Sequence, residues 1–185
     1  MPDPRTVRQQ WDRRAPYYDR AVNERTERWA VLDSRDWICG QAHGPTLEVA
    51  IGTGRNLAHY PPEVDLTGVD ISPGMLAVAQ RRARELGRPV LLREAAAEAL
   101  PFPDASFDSV VCTLSVCSVA DRSEAIAEMI RVLRPGGRLL LLDHLERRWL
   151  RGRPATLALR QGVITEQRQR LRLGLIERFA GRKPA

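Results

Sequence analysis

The stretch LEVAIGTGRNLAHY, residues 47–60, decides the fold. It opens as a buried strand and breaks at Gly52 and Gly54 into a turn that leads into a predicted helix. A strand ending in Gly-x-Gly lets a ligand approach the backbone closely, because neither glycine carries a Cβ. Nucleotides of several kinds use that arrangement. The stretch alone leaves the ligand open.

Outward from it, strand and helix patterns alternate. TLEVAI (46–51) and VDLTGVD (64–70) read as strands, and SPGMLAVAQRRARELG (72–87) as a helix with a serine cap, an early proline and a closing glycine. PVLLREA (89–95) is a third strand. FDSVVCTL (107–114), β-branched and apolar, suits a central strand buried on both faces. DRSEAIAEMIRVLRPGG (121–137) reads as a helix with Ala125, Ile126, Met129, Ile130 and Leu133 inward, stopped by Pro135, Gly136 and Gly137. RLLLLDH (138–144) is another buried strand. Before all this, residues 5–38 have helical character, with Trp11, Trp29 and Trp37 as anchors and a break at Pro16. The alternation predicts an α/β fold, a mostly parallel sheet with helices on both faces.

The totals fit one domain of 185 residues. It divides into a helical cap (1–40), a ligand-binding core (46–145) and a short final section (146–185). No apolar run approaches the roughly 20 residues that span a bilayer, and the polar start is no secretory signal. Cys39, Cys112 and Cys117 suggest no disulfide framework, so the cytoplasm is the expected location. The net charge of +6 is uneven: residues 144–185 hold 11 basic and 3 acidic groups. Such a segment attracts anions, lipid headgroups included, or is simply a solvated arginine surface. No aromatic-rich basic stretch for stacking bases is present, so nucleic acid is not expected.

In parallel sheets, ligands bind beyond the carboxyl ends of the strands. The positions to watch are Gly52–Asn56, Asp70–Ile71, Ala95–Glu98, Ser115–Val119 and Asp143–His144. Asp70 ends the second strand, where a carboxylate can accept from both hydroxyls of a ribose. A nicotinamide cofactor would use that acid too. Its fingerprint asks for Gly-x-Gly-x-x-Gly, and Leu57 occupies the third position.

The motifs EVAIGTG, GVDISPGML, AEALPFPDASFDSVV and EMIRVLRPGGRLLLLDH, in that order, resemble class I S-adenosylmethionine-dependent methyltransferases of the ubiquinone/menaquinone-biosynthesis group. The resemblance covers roughly residues 10–145 and resumes at RLRLGLIERFAGRKPA. VVCTLSVCSVAD is similar to thiol methyltransferase-like proteins and to small bacterial relatives near the phospholipid N-methyltransferases. The resemblance implies a Rossmann-like fold with an antiparallel last strand, and S-adenosyl-L-methionine as cofactor, leaving as S-adenosyl-L-homocysteine. It implies that Glu48, Ala50, Gly52, Gly54 and Asn56 surround the methionine part, with Tyr18 lying over it. Asp70 would hold the ribose, Ile71 and Met75 would sandwich the adenine, Ala97 and Glu98 would face its edge, and backbone at Thr113–Ser115 would bind the amino group. Ala50 replaces the first glycine of many relatives. Ala96 replaces an aspartate that bonds the adenine amine, a loss of about 1.5–3 kcal/mol.

The chemistry expected is transfer of a methyl group to oxygen, nitrogen or sulfur of a small, apolar acceptor. Groups beyond the fourth and fifth strands are the candidates: His144 and Asp143 as base or acceptor contact, with Cys117 and Ser118 nearby. His43 and His59 fall outside that region. Cys112, Cys117 and His144 lack the usual Cys-x-x-Cys geometry, so no metal is expected. The long helical lid of relatives is shortened here, which leaves the acceptor mouth open. An anionic membrane touching Arg147, Arg148, Trp149, Leu150, Arg151 and Arg153 would cover it, or a second copy of the chain would. Two other readings stand beside this one: a cofactor-binding protein without catalysis, and a nucleotide-dependent oxidoreductase.

Overall fold

The computed structural model describes residues 3–22, 31, 33–144, 153–171 and 175–185. Two helices, α1 (Pro4–Arg14) and α2 (Tyr18–Ala21), lie on either side of Pro16, and α3 (Ser34–Cys39) follows. Trp29, expected as an anchor, falls outside the described residues. The alternating section contains β1 (Pro45–Val49), β2 (Asp65–Asp70), α4 (Pro73–Glu85), β3 (Leu91–Glu94), β4 (Phe107–Thr113), α5 (Arg122–Val132) and β5 (Leu133–His144). Then come α6 (Pro154–Arg160), β6 (Ile164–Leu171) and β7 (Ile176–Arg182).

The strands form one sheet in the order β3-β2-β1-β4-β5-β7-β6. β1 to β5 pair in parallel, while β7 runs antiparallel between β5 and β6. The sheet has the expected α/β architecture with an antiparallel last strand. The apolar run at 139–142 shows how sequence fills it. Leu139 and Leu141 face the side covered by Ile126 and Met129 of α5 and Ala155 and Ala158 of α6. Leu140 and Leu142 face the side of Ile38 in α3 and Ala83 in α4. An alternating strand buried on both faces has no room for polar residues, and none interrupts these four.

Helix boundaries follow their caps. The Ser72 hydroxyl accepts from the Met75 amide at 3.1 Å at the start of α4. The Asp121 carboxylate accepts from the amides of Ser123 and Glu124 at 2.8 and 3.1 Å at the start of α5. Two expectations change. Residues 52–59 form consecutive tight turns instead of a helix, closed by i to i+3 bonds such as Leu57 N to Gly54 O at 3.1 Å. Gly52 and Gly54 take the left-handed region there, at φ 58° and 75°, which an α-helix cannot contain. Helix α5 stops at Val132, earlier than the Pro-Gly-Gly run, because Leu133 turns extended and pairs with Phe107.

Much of the positive charge of residues 144–185 is used within the fold. Arg168 and Arg170 both reach the buried Glu177. Arg178 pairs with Asp33 at 2.9 Å and lies over the ring of Trp37. The expected membrane-facing residues Arg147 to Arg151 lie outside the described residues, and the one described helix between β5 and β6 is α6. Lys183, the only lysine of the chain, donates to the carbonyls of Ile130 and Leu133 at 2.8 and 2.7 Å. It caps the end of α5, where carbonyls lack partners within the helix and the helix dipole favours a cation. Lys183→Met should lower stability by about 1–2 kcal/mol, read as a reduced urea midpoint with an unchanged slope.

Candidate functional site

The strand order reverses beside β1, which has β2 on one side and β4 on the other. Register places Val49 level with Val69 and with Cys112, so the turn after β1 lies between Asp70 and the Thr113–Ser115 segment. A crevice opens at such a point because the connections leave in opposite directions.

Asp70 holds the turn in place. Its Oδ2 accepts from the Gly52 amide and its Oδ1 from the Ser72 amide, each at 2.9 Å. One lone pair on each oxygen is left for a ligand. The side chain is 7% exposed, and burial pushes its pKa up to about 6 despite those two amides. Ala50 also takes a left-handed φ of 55°, costly for a residue with a Cβ. Gly54 does not line the crevice. A Cβ there would meet the Leu57 side chain at 2.7 Å and the Ala79 backbone at 3.3 Å, so it serves the packing of α4.

The crevice has two compartments. The larger, about 670 Å³, is bounded by Asp70, Ile71, Met75, Ala97 and Glu98 from the core and by Val7 and Trp11 from α1. The smaller, about 320 Å³, is bounded by Glu48, Asn56 and Thr113, with Arg35 and Arg55. Tyr18, Ala50, Gly52, Leu114 and Ser115 belong to both. One side is therefore largely apolar, with the carboxylates of Asp70 and Glu98 at its edge. The other holds a buried acid and two guanidinium groups.

Glu48 is fixed by neighbours on both oxygens. Oε1 accepts from Asn56 Nδ2 at 2.8 Å and Oε2 from the Tyr60 hydroxyl at 2.9 Å. The same Asn56 amide donates to Thr113 Oγ1 at 2.9 Å, and its oxygen accepts from Arg35. Burial dominates over these bonds and pushes the Glu48 pKa up to about 7. A cation arriving in this compartment would ionise it.

The cap is tied down by charge. Asp19 of α2 accepts from Thr53 Oγ1 and Arg82 at 2.8 Å, and from Arg55 at 3.3 Å. Asp12 of α1 accepts from the Ser72 hydroxyl at 2.5 Å and the Gly74 amide at 3.0 Å. Trp11 meets Tyr18 edge to face, with ring centroids 5.9 Å apart.

His144 and Asp143 are not in either compartment. They end β5, beside Leu114, whose amide donates to Leu142 O at 2.6 Å. His144 is half exposed, 3.8 Å from a buried Asp143 whose pKa burial raises. Cys117 stands next to both, on a short 3-10 turn (Val116–Ser118). Cys112 is buried in the sheet core, as expected. His59 contacts Asp36 at 2.6 Å and His43 lies against Ser109, both away from the crevice. Sequence reasoning missed Arg35 and Trp11, and it marked Arg55 only as part of the Gly52–Asn56 turn, with no role of its own. Nothing in the spacing separates Arg35 from the other arginines, and Trp11 reads equally well as a packing anchor.

Comparison with known proteins agrees with this geometry. Residues 47–141 match the family model described as a methyltransferase domain. The chain is 41% identical over 130 residues to the ubiquinone/menaquinone biosynthesis C-methyltransferase of Geobacter sulfurreducens, covering 66% of this chain and 48% of that protein. It is 37% identical over 141 residues to a phosphatidylethanolamine N-methyltransferase of Cereibacter sphaeroides, covering 69% and 70%. The N-methyltransferase NodS of Bradyrhizobium japonicum, solved with S-adenosyl-L-homocysteine, superposes with a TM-score of 0.76 at 19% identity, over 97% of this chain and 99% of that one. The chain spans about half the length of several of the curated relatives it matches. With its family match, its sheet order and its crevice at the β1–β4 switch point, the chain belongs to the class I S-adenosylmethionine-dependent methyltransferases.

Proposed function

We propose that this protein binds S-adenosyl-L-methionine and transfers its methyl group to oxygen, nitrogen or sulfur of a small, apolar acceptor. The observation that carries the reading is the division of the crevice. S-adenosylmethionine is an adenosine joined to a zwitterionic amino acid, so it needs an apolar slot with a diol acceptor beside a site with both signs of charge. Ile71 and Met75 line the apolar side and suit the base, and Asp70 at its edge suits the ribose diol. Glu48 suits the ammonium, and Arg35 and Arg55 suit the carboxylate. A dinucleotide fits less well, because its pyrophosphate would meet the Glu48 carboxylate.

The cofactor supplies an electrophilic methyl on sulfur. The chain supplies alignment and a site shielded from water, both of which lower the barrier to an in-line displacement. Tyr18, held over Ala50 and Ser115 by the Asp19 bonds, excludes solvent from the junction of the compartments. The acceptor side lies toward the tips of β4 and β5, where His144 is the exposed polar group able to take a proton. Two relatives named for a quinone and for a lipid favour an apolar body for the acceptor. An anionic membrane met by the arginines of 147–153 is the source we propose for such a molecule. Release of labelled methyl, screened over thiols, phenols, amines and lipids, tests the reaction. Tight cofactor binding with no transfer to any class would favour a non-catalytic binder.

Three outcomes are expected in calorimetry with S-adenosylhomocysteine. Asp70→Ala should weaken binding tenfold to more than a hundredfold, about 1.5–3 kcal/mol. Affinity should rise with pH up to about 7 and then level off, since the ammonium binds ionised Glu48. Glu48→Gln should flatten that rise. The same group acts in the opposite sense on the free protein: its raised pKa makes the fold most stable below about 4.5 and costs stability as pH rises through about 7. Asp19→Ala should speed ligand release roughly fivefold, as expected for about 1 kcal/mol from partly exposed charges, visible in stopped-flow displacement.

A further inference from the structure

Beyond the crevice, Cys117, Asp143 and His144 converge. The Cys117 sulfur, a carboxylate oxygen of Asp143 and a ring nitrogen of His144 all lie within 4.8 Å of one another. Thiolate, carboxylate and imidazole are the three side-chain ligands of zinc-class divalent cations. Proximity alone would be weak support. The second observation is Asp143 itself. It is 4% exposed, its Oδ1 accepts from the His144 amide at 2.7 Å, and its Oδ2 is buried with no hydrogen bond of normal geometry, the amide and thiol of Cys117 being the donors that reach this carboxylate. A buried carboxylate oxygen with no such bond is costly unless something cationic completes it.

We propose that Cys117, Asp143 and His144 form a binding site for one zinc-class divalent cation on the acceptor side of the cleft. The three residues come from two neighbouring elements. Asp143 and His144 end β5, and Cys117 sits on the turn that follows β4. Around one tetrahedral zinc the ligand atoms lie roughly 3.3–3.8 Å apart, from bond lengths near 2.0–2.3 Å. The trio must therefore close by at most roughly 1.5 Å, within reach of side-chain rotation for the half-exposed His144. Three protein ligands leave the fourth position open, the pattern of zinc sites that bind a substrate atom. The site adjoins Ser118 and Val119, which line the larger compartment. An acceptor thiol or hydroxyl bound at the open position would lose its proton to solvent more readily, because the cation stabilises the anion; with the site filled, His144 serves as a ligand instead of as the base. This second role rests on the methyl-transfer reading above. The site does not. It also replaces the set Cys112, Cys117 and His144, since Cys112 faces the sheet core and Asp143 takes its place.

Cobalt(II) titration of the untagged full chain tests the site directly. A thiolate-to-cobalt absorption band in the near ultraviolet, saturating at one equivalent and displaced by zinc, is the expected result. The band should vanish in Cys117→Ser. Asp143→Asn and His144→Ala should weaken metal affinity by at least tenfold, the lower end of roughly 10–100-fold for loss of a supporting group. Cys39→Ala and His59→Ala should leave the titration unchanged. Absence of a thiolate band in the unaltered chain, its survival in Cys117→Ser, or indifference to both Asp143→Asn and His144→Ala would overturn the proposal. Calorimetry with S-adenosylhomocysteine on the same samples keeps the two readings apart. Intact cofactor binding without the band refutes the metal site alone.

Discussion

The carboxylate of Asp70 joins three pieces of backbone that would otherwise be independent. Through Gly52 it holds the turn after β1, through Ser72 it holds the start of α4, and its own Cα closes β2. The crevice is the space these three enclose. Two buried amides satisfied by one carboxylate also restrict where that carboxylate points, so the ligand meets a preset acceptor. Burial raises the pKa of the same group to about 6. The site is thus built on an acid kept partly away from water, whose charge is most useful once a ligand covers it.

Glu48 repeats the pattern one strand away. Both acids are buried, both have raised pKa values, and both stand at strand ends on the switch point. Among the described residues, neither has an ion-pair partner of its own. Asn56 and Tyr60 satisfy Glu48 with neutral donors, which orient it without neutralising it. Ionising these groups without a ligand costs folding stability, and binding returns it. Stability and recognition are therefore linked through the same two side chains.

The fold was largely legible because its signals are local and repeated. The LLLL run, the serine cap of α4 and the β-branched FDSVVCT each point to one outcome, and the sheet agrees with all of them. Much of the crevice lining was legible too, Gly52, Asp70, Ala97 and Ser115 from the strand ends and Tyr18, Glu48 and Met75 from the family resemblance. Failures came where conformation depends on distant partners. The turns at 52–59 look helical by composition, but two left-handed glycines set them. Leu133 leaves α5 because Phe107 offers a strand to pair with, across more than twenty residues of chain. Arg35 reaches the smaller compartment from a segment with no motif. Asp143 as a companion of Cys117 required knowing that Cys112 points into the core while the turn after β4 brings Cys117 back to β5.

The place of β7 has a consequence for how the molecule is made. It is the last of the described strands to leave the ribosome, yet it occupies an interior position, buried along nearly its whole length between β5 and β6. Until it emerges, β5 has a bare apolar edge and β6 has nothing to pair with. Synthesis proceeds from the other end, so a nascent chain could order β1 to β5 and its ligand crevice while β6 and β7 still wait. An unpaired edge of this kind invites wrong pairing. Arg168 and Arg170 of β6 find their partner Glu177 only when the late strand arrives, so its docking also completes their charge pairing.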